Sequence, residues 1–167
     1  MKDNFIKKTA LSGVVAAIYV FITFALAPIS FGAVQCRLSE ALCALPLIWP
    51  EGVWGVSLGC LLANLYSGSI IDIVFGTAAT LIAAVLTYKT RKKPALAMLF
   101  PVILNGVIVG GYIGLFMNDT SMAVPLCMIS VAAGEAVACY GVGLPLYYLI
   151  KKRMGKPEDK NETKKNG

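Results

Sequence analysis

The stretch MAVPLCMISVAAGEAVACYGVGLPLYYLI, Met122 to Ile150, contains one charged residue, Glu135. It exceeds the roughly 20 apolar residues that a membrane-crossing helix needs, and Lys151, Lys152 and Arg153 stop it. A carboxylate at membrane depth is costly, so such residues face a cavity or a partner and mark functional sites. The fold class and the first candidate site residue both follow from this one segment.

Outward from it, charge stays scarce and segregated. The 167 residues are 57% hydrophobic and 14% charged, with a mean hydropathy of +0.74. A soluble domain carries about 25% charged residues. Between Thr9 and Tyr88 the only charges are Arg37, Glu40, Glu51 and Asp72, and from Ala95 to Ile150 only Asp119 and Glu135. Lys and Arg collect at Lys2, Lys7 and Lys8, at Lys89 to Lys93, and after Ile150. The chain reads as an all-α integral membrane protein, membrane-embedded over 1–155, with a disordered charged tail over 156–167. No cleavable signal peptide is expected, because the first apolar run is long enough to span and lacks a small-residue cleavage site.

Several function classes fall away. The net charge of +6 sits where the positive-inside rule puts cations, without the aromatic interleaving of a nucleic-acid surface. There is no His, and the five cysteines form no CxxC pair, so neither a metal site nor a cofactor is expected. The cysteines read as small apolar packing residues. An enzyme is not expected either: the interfacial loops lack clustered acids or a nucleophile with its base, and Glu51 is the only acid in the loops assigned to the cytoplasmic side.

Six spans are predicted: Thr9–Ala27, the short Leu38–Trp49 and Val53–Tyr66, then Ile70–Tyr88, Leu96–Met117 and Ala123–Ile150. The short pair reads either as tilted helices or as the arms of a re-entrant hairpin. Either way the basic clusters share one face, which makes both termini cytoplasmic. Small residues recur at four-residue spacing as Ser12/Ala16, Gly13/Ala17, Gly55/Gly59/Ala63 and Gly106/Gly110/Gly114, a pattern that lets helix backbones approach in lipid.

Polar residues within these spans include Arg37, Glu40, Asn64, Asp72, Asn105, Tyr112, Glu135 and Tyr140. Arg37, Glu40, Asn64 and Asp72 fall in the outer half by position. Glu135 lies about ten residues below Pro125, roughly 15 Å at 1.5 Å per residue. An outward-facing polar funnel floored by Glu135 is the expectation. Arg37 and Glu40 are spaced to pair, and Asp72 is placed to sit at a helix start.

The run Phe31-Gly32-Ala33-Val34-Gln35-Cys36-Arg37-Leu38-Ser39-Glu40-Ala41-Leu42-Cys43-Ala44-Leu45-Pro46 resembles the signature of the QueT family. Further matches are Gly59 to Asn64, Asp72 to Thr77, Asn105, and Gly134-Glu135 with Tyr140 through Leu146. QueT proteins are substrate-binding S components of energy-coupling-factor (ECF) importers, an ABC-importer class. The resemblance implies a plasma-membrane protein that captures a queuosine precursor, typically preQ1, from outside. It also implies a transmembrane T subunit and two cytoplasmic ATPases as partners, since this chain has no GxxxxGK[ST] phosphate loop. The T-subunit surface then maps to Ser12/Ala16 or to Gly13/Ala17.

For a 7-deazaguanine, Glu135 is expected to accept the N1–H and N2–H₂ donor edge, with Asn105 and Asn64 satisfying other ring atoms. Glu40 or Asp72 is placed for the aminomethyl cation, Arg37 belongs to the same polar set, and Phe31 or Tyr112 is placed to stack on the base. The alternative reading is a self-sufficient proton-coupled transporter of a cationic or heterocyclic solute, which also uses one buried acid.

Overall fold

The computed structural model describes residues 2–30, 37–116 and 123–154. Phe31 and the tail expected over 156–167 lie outside the described residues. Six helices carry the fold: α1 (Lys2–Ala25), α2 (Leu38–Leu47), α3 (Glu51–Ser67), α4 (Asp72–Lys89), α5 (Pro94–Phe116) and α6 (Val124–Met154). A single turn, Ala27–Ser30, follows α1. No strand occurs among the described residues. Among the described residues, four segments are long and apolar enough to cross a membrane: Asn4–Ala25, Asp72–Lys89, Pro94–Phe116 and Val124–Met154.

The short second segment is the centre of the protein. α2 is wound as a 3-10 helix, with Pro46 inside it, and every residue from Ser39 to Leu47 is buried. It packs against α1, α3, α4 and α6. A 3-10 helix rises about 2.0 Å per residue, so ten residues cover roughly 20 Å, short of the ~30 Å hydrocarbon core. Large apolar side chains elsewhere point outward, among them Phe21, Trp54, Ile129 and Leu149, as a lipid-solvated bundle requires.

Glycines set how closely the long helices pack. A Cβ on Gly55 would lie 2.6 Å from Val15 Cβ, and one on Gly59 2.6 Å from Tyr19 Cβ. The α3 stripe is therefore closed against α1. The α5 stripe does the same on α6: a Cβ would meet Ala132 Cβ at 2.8 Å from Gly106, Met128 Cα at 2.5 Å from Gly110, and Val124 Cα at 2.7 Å from Gly114. Both stripes serve packing within the chain.

Two helices contain wide π turns, Asp72–Gly76 at the start of α4 and Val137–Gly143, which begins two residues after Glu135 in α6. Such turns shift the side-chain register and recur at functional sites. α3 ends on Gly68, whose φ of +71° is left-handed and suits glycine. Ser69 Oγ then accepts the Asp72 N–H at 3.3 Å, a serine holding an early helix donor.

The basic clusters share one end. Lys8 pairs with Glu51 at 3.2 Å, Arg91, Lys92 and Lys151 line one cavity with Leu47 and Ile48, and Tyr140 donates to Ala95 O at 2.8 Å. Tyr140 thus belongs to the periphery of this end and not to the polar interior.

The packing gives a paired test. Gly110→Val drives a side chain into the α6 backbone and is expected to cost about 1–3 kcal/mol or more. Gly111 has nothing within 4 Å of a new Cβ, so Gly111→Ala is expected to be neutral or stabilising by up to ~1 kcal/mol. Thermal unfolding in detergent, followed by tryptophan fluorescence, separates the two.

Candidate functional site

Inside the bundle, the polar residues form one connected interior. Its base is Glu40, 1% exposed on α2. The Tyr19 hydroxyl of α1 donates to Glu40 Oε1, Thr80 Oγ1 of α4 donates to the same oxygen at 3.1 Å, and the Cys43 thiol donates to Oε2 at 2.9 Å. The Cys139 thiol of α6 lies 3.8 Å from the Glu40 carbonyl oxygen. Thr23 and Ser39 hydroxyls meet at 2.8 Å beside them. Since Thr80 is midway along α4, Glu40 sits near mid-depth and not in the outer half that its place in the sequence suggests.

A second set lies between the ends of α3, α4 and α5. The Tyr112 hydroxyl donates to Asp72 Oδ1, and Ser67 Oγ is 3.4 Å from Oδ2. Asn64 Nδ2 donates to Asp72 O at 2.9 Å and to Thr77 Oγ1 at 3.3 Å. Because a backbone carbonyl can only accept, this contact fixes the Asn64 amide with Oδ1 turned elsewhere. Cys60 connects the two sets, 3.4 Å from Asn64 Nδ2 and 3.3 Å from Thr80 Oγ1. Arg37 Nη1 lies 4.0 Å from the same sulfur, and Arg37 is buried.

Glu135 and Asn105 make the third set, each 2% exposed. The Asn105 amide reaches Glu135 as a hydrogen-bond donor, and the charged groups acting on Glu135 are Glu40 and Arg37. Arg37 and Glu40 thus lie within electrostatic reach of Glu135.

The buried atoms left without a hydrogen-bond partner include Glu135 Oε2, Asn105 Oδ1 and Asn64 Oδ1. All three are acceptors. An unsatisfied buried acceptor costs about 1–3 kcal/mol, more when charged, so each of the three is open to a donor from a bound molecule. Charge points the same way: Glu40, Asp72 and Glu135 are buried carboxylates against the one buried guanidinium of Arg37 among the described residues.

The structure treats the expected residues unequally. Glu135, Asn105 and Asn64 present open acceptors, whereas the oxygens of Glu40 and Asp72 are already engaged by protein donors. Tyr112 clamps Asp72 and packs with Ala79, Val109, Ile113, Cys127 and Val131. Phe31 is outside the described residues. Of the two small-residue faces on α1, Ala16 is buried against α3 and Ser12 Oγ donates to Glu51 O at 3.0 Å. Gly13 and Ala17 are exposed, and Gly13 has open space around it.

Sequence reasoning overlooked Tyr19, Thr23, Cys60, Thr80 and the Cys43 and Cys139 thiols as parts of the polar interior. A signal existed for some. Tyr19 and Thr23 continue the Ser12/Ala16 face at helical spacing, and Thr80 falls eight residues after Asp72 on one face of α4.

Comparison with known proteins follows this geometry. The model of a family described as QueT transporter matches residues 9–152. A protein of Lactococcus lactis subsp. cremoris (strain MG1363), named queuosine precursor transporter QueT, is 34% identical over 71 residues, 41% of this chain and 42% of that protein. The match therefore spans less than half of that relative's length. No solved structure matches.

The two buried glutamates have opposite expected behaviour. Glu40→Ala strands three donors and is expected to destabilise by about 3 kcal/mol or more. Glu135→Gln keeps the oxygen that Asn105 reaches and is expected to change stability by less than ~1 kcal/mol. Thermal unfolding of the ligand-free protein in detergent checks both, and equal losses would contradict the division.

Proposed function

The chain belongs to the QueT transporter family, and from that premise we propose that it is the substrate-capture S component of an ECF-type importer, binding a 7-deazaguanine queuosine precursor from outside. The observation that carries this reading is the set of three buried acceptors, Glu135 Oε2, Asn105 Oδ1 and Asn64 Oδ1, left without donors. A 7-deazaguanine supplies adjacent N1–H and N2–H₂ donors, which one carboxylate accepts side by side, and a pyrrole N–H for an amide oxygen. Arg37 provides donors for the ring carbonyl.

Charge favours a cationic precursor. Three buried carboxylates and one buried guanidinium carry a net charge of −2 when all are ionised (−3 + 1), and an aminomethyl cation, as in preQ1, relieves it. A neutral nitrile, as in preQ0, does not. Glu40 and Asp72 act on that cation chiefly through their field, since their oxygens already hold protein donors.

The membrane arrangement follows from the shared basic end. With Lys8, Arg91, Lys92 and Lys151 at one end of the bundle, the positive-inside rule places that end and both termini in the cytoplasm of a plasma-membrane protein. α2 and α3 complete six segments around the site, and the ends of α3 and α4 near Asn64 and Asp72 face outside. ATP hydrolysis belongs to partner subunits. The T subunit docks on the Gly13/Ala17 face, because α3 occupies the Ser12/Ala16 face.

Calorimetry on the purified chain tests the capture step. One deazaguanine among preQ1, preQ0 and queuine is expected to bind with sub-micromolar affinity, and riboflavin is not. Glu135→Gln and Asn105→Leu are each expected to weaken binding by about tenfold or more, the usual consequence of mismatching a buried donor–acceptor pair. Affinities within about twofold of the unaltered protein would overturn the assignment. Docking has its own check: Gly13→Phe is expected to abolish co-purification of the T subunit while ligand affinity stays unchanged.

A further inference from the structure

The basic end holds a cavity that the capture site does not use. It has a volume of about 350 Å³ and is lined by Leu47, Ile48, Arg91, Lys92, Tyr147 and Lys151. Three elements build it: the end of α2, the turn between α4 and α5, and the last turns of α6. Its floor is apolar, and its rim carries three exposed cations.

Two of those cations are held in place by tyrosines. The Arg91 guanidinium stacks 4.3 Å from the Tyr88 ring centroid. Lys151 Nζ donates to the Tyr147 hydroxyl at 3.2 Å and lies 5.5 Å from the same ring. Tyr147 and Tyr148 form an edge-to-face pair with centroids 5.0 Å apart. Tyrosine belts of this kind sit at headgroup level.

Among the described residues, no acid balances the rim. From Ile73 to Asn118 and from Ala136 to Pro157 the sequence contains no Asp or Glu. Glu51, the nearest acid in sequence to Leu47, is taken by Lys8 at 3.2 Å on the α1 side. Glu40, Asp72 and Glu135 are buried in the interior. The cavity therefore keeps a positive field, set by Arg91, Lys92 and Lys151, that no acid among the described residues compensates.

We propose that this cavity binds the phosphate of an anionic membrane lipid, with the headgroup on Arg91, Lys92 and Lys151 and the glycerol-proximal carbons on Leu47 and Ile48. A guanidinium and two ammonium groups suit phosphate oxygens, and basic pockets between helix ends on the cytoplasmic side are where acidic headgroups gather. A free phosphate would use the rim but not the apolar floor, which is why the lipid is the occupant. The site touches α2 directly, so an occupied cavity also braces the end of the helix that carries Glu40.

Native mass spectrometry of the full chain, released from nanodiscs of mixed phosphatidylglycerol and phosphatidylcholine, tests this. The unaltered protein is expected to retain phosphatidylglycerol preferentially. The Arg91→Gln/Lys92→Gln/Lys151→Gln variant is expected to lose that retention by about tenfold or more, each basic residue near the surface contributing to lipid attraction. A Lys7→Gln/Lys89→Gln/Arg153→Gln variant, which removes equal charge from outside the cavity, is expected to stay within about twofold of the unaltered protein. Single Arg91→Gln and Lys151→Gln variants, with helicity checked by circular dichroism, are expected to lose part of the retention, while Arg91→Lys keeps most of it. Equal losses in both triple variants, no lipid preference, or displacement of the lipid by inorganic phosphate at equal concentration would overturn the proposal.

Discussion

The protein depends on the burial of one carboxylate. Glu40 lies on a short helix enclosed by its neighbours, and a buried charge survives only if its oxygens are supplied with donors. Tyr19 from α1, Thr80 from α4 and Cys43 from α2 itself supply them. One side chain thereby ties the central helix to two spanning helices. This matters more in lipid than in water, because apolar burial gives helices little reason to prefer one another. The glycine contacts of α3 on α1 and of α5 on α6 complete the bundle by close packing, and the polar interior sets how α2 sits within it.

Against that anchored acid, Glu135 stands out by what it lacks. Both glutamates are buried and each acts on the other electrostatically, yet Glu40 is saturated with donors and Glu135 keeps Oε2 open. The π turn that begins two residues later, Val137–Gly143, lets α6 press against α2, where a Cβ on Gly143 would be 2.7 Å from Ala41 O. The saturated acid thus belongs to the scaffold and the open one to the site, and the same helix contact positions both.

Much of this was legible from the residues alone. Glu135 was visible because nothing else in Met122 to Ile150 is charged, and Asn105 and Asn64 because amides are uncommon in apolar helices. The limits of the long helices followed from the clusters of Lys and Arg. The central position of Leu38–Leu47 was not legible, since an apolar helix facing lipid and one enclosed by protein have the same composition. Tyr19 and Thr80 were hidden for a related reason: both residue types occur on membrane helices without a partner, and only the position of Glu40 gives them one. Ser12/Ala16 and Gly13/Ala17 satisfy the same spacing rule. What separates them is the approach of α3, a tertiary fact that no local pattern contains.

The central claim is that the open oxygen of Glu135 accepts the donor edge of a guanine-like base. A double-mutant cycle across the complex tests it most directly, pairing Glu135→Gln with a preQ1 analogue that lacks the exocyclic N2 amine and measuring the four affinities by calorimetry. If the two groups meet, the changes are strongly non-additive, with a coupling of about 1 kcal/mol or more, and the analogue loses little further affinity on the altered protein. If the two losses simply add to within about 0.3–0.5 kcal/mol, Glu135 does not read that edge and the account of the site is wrong.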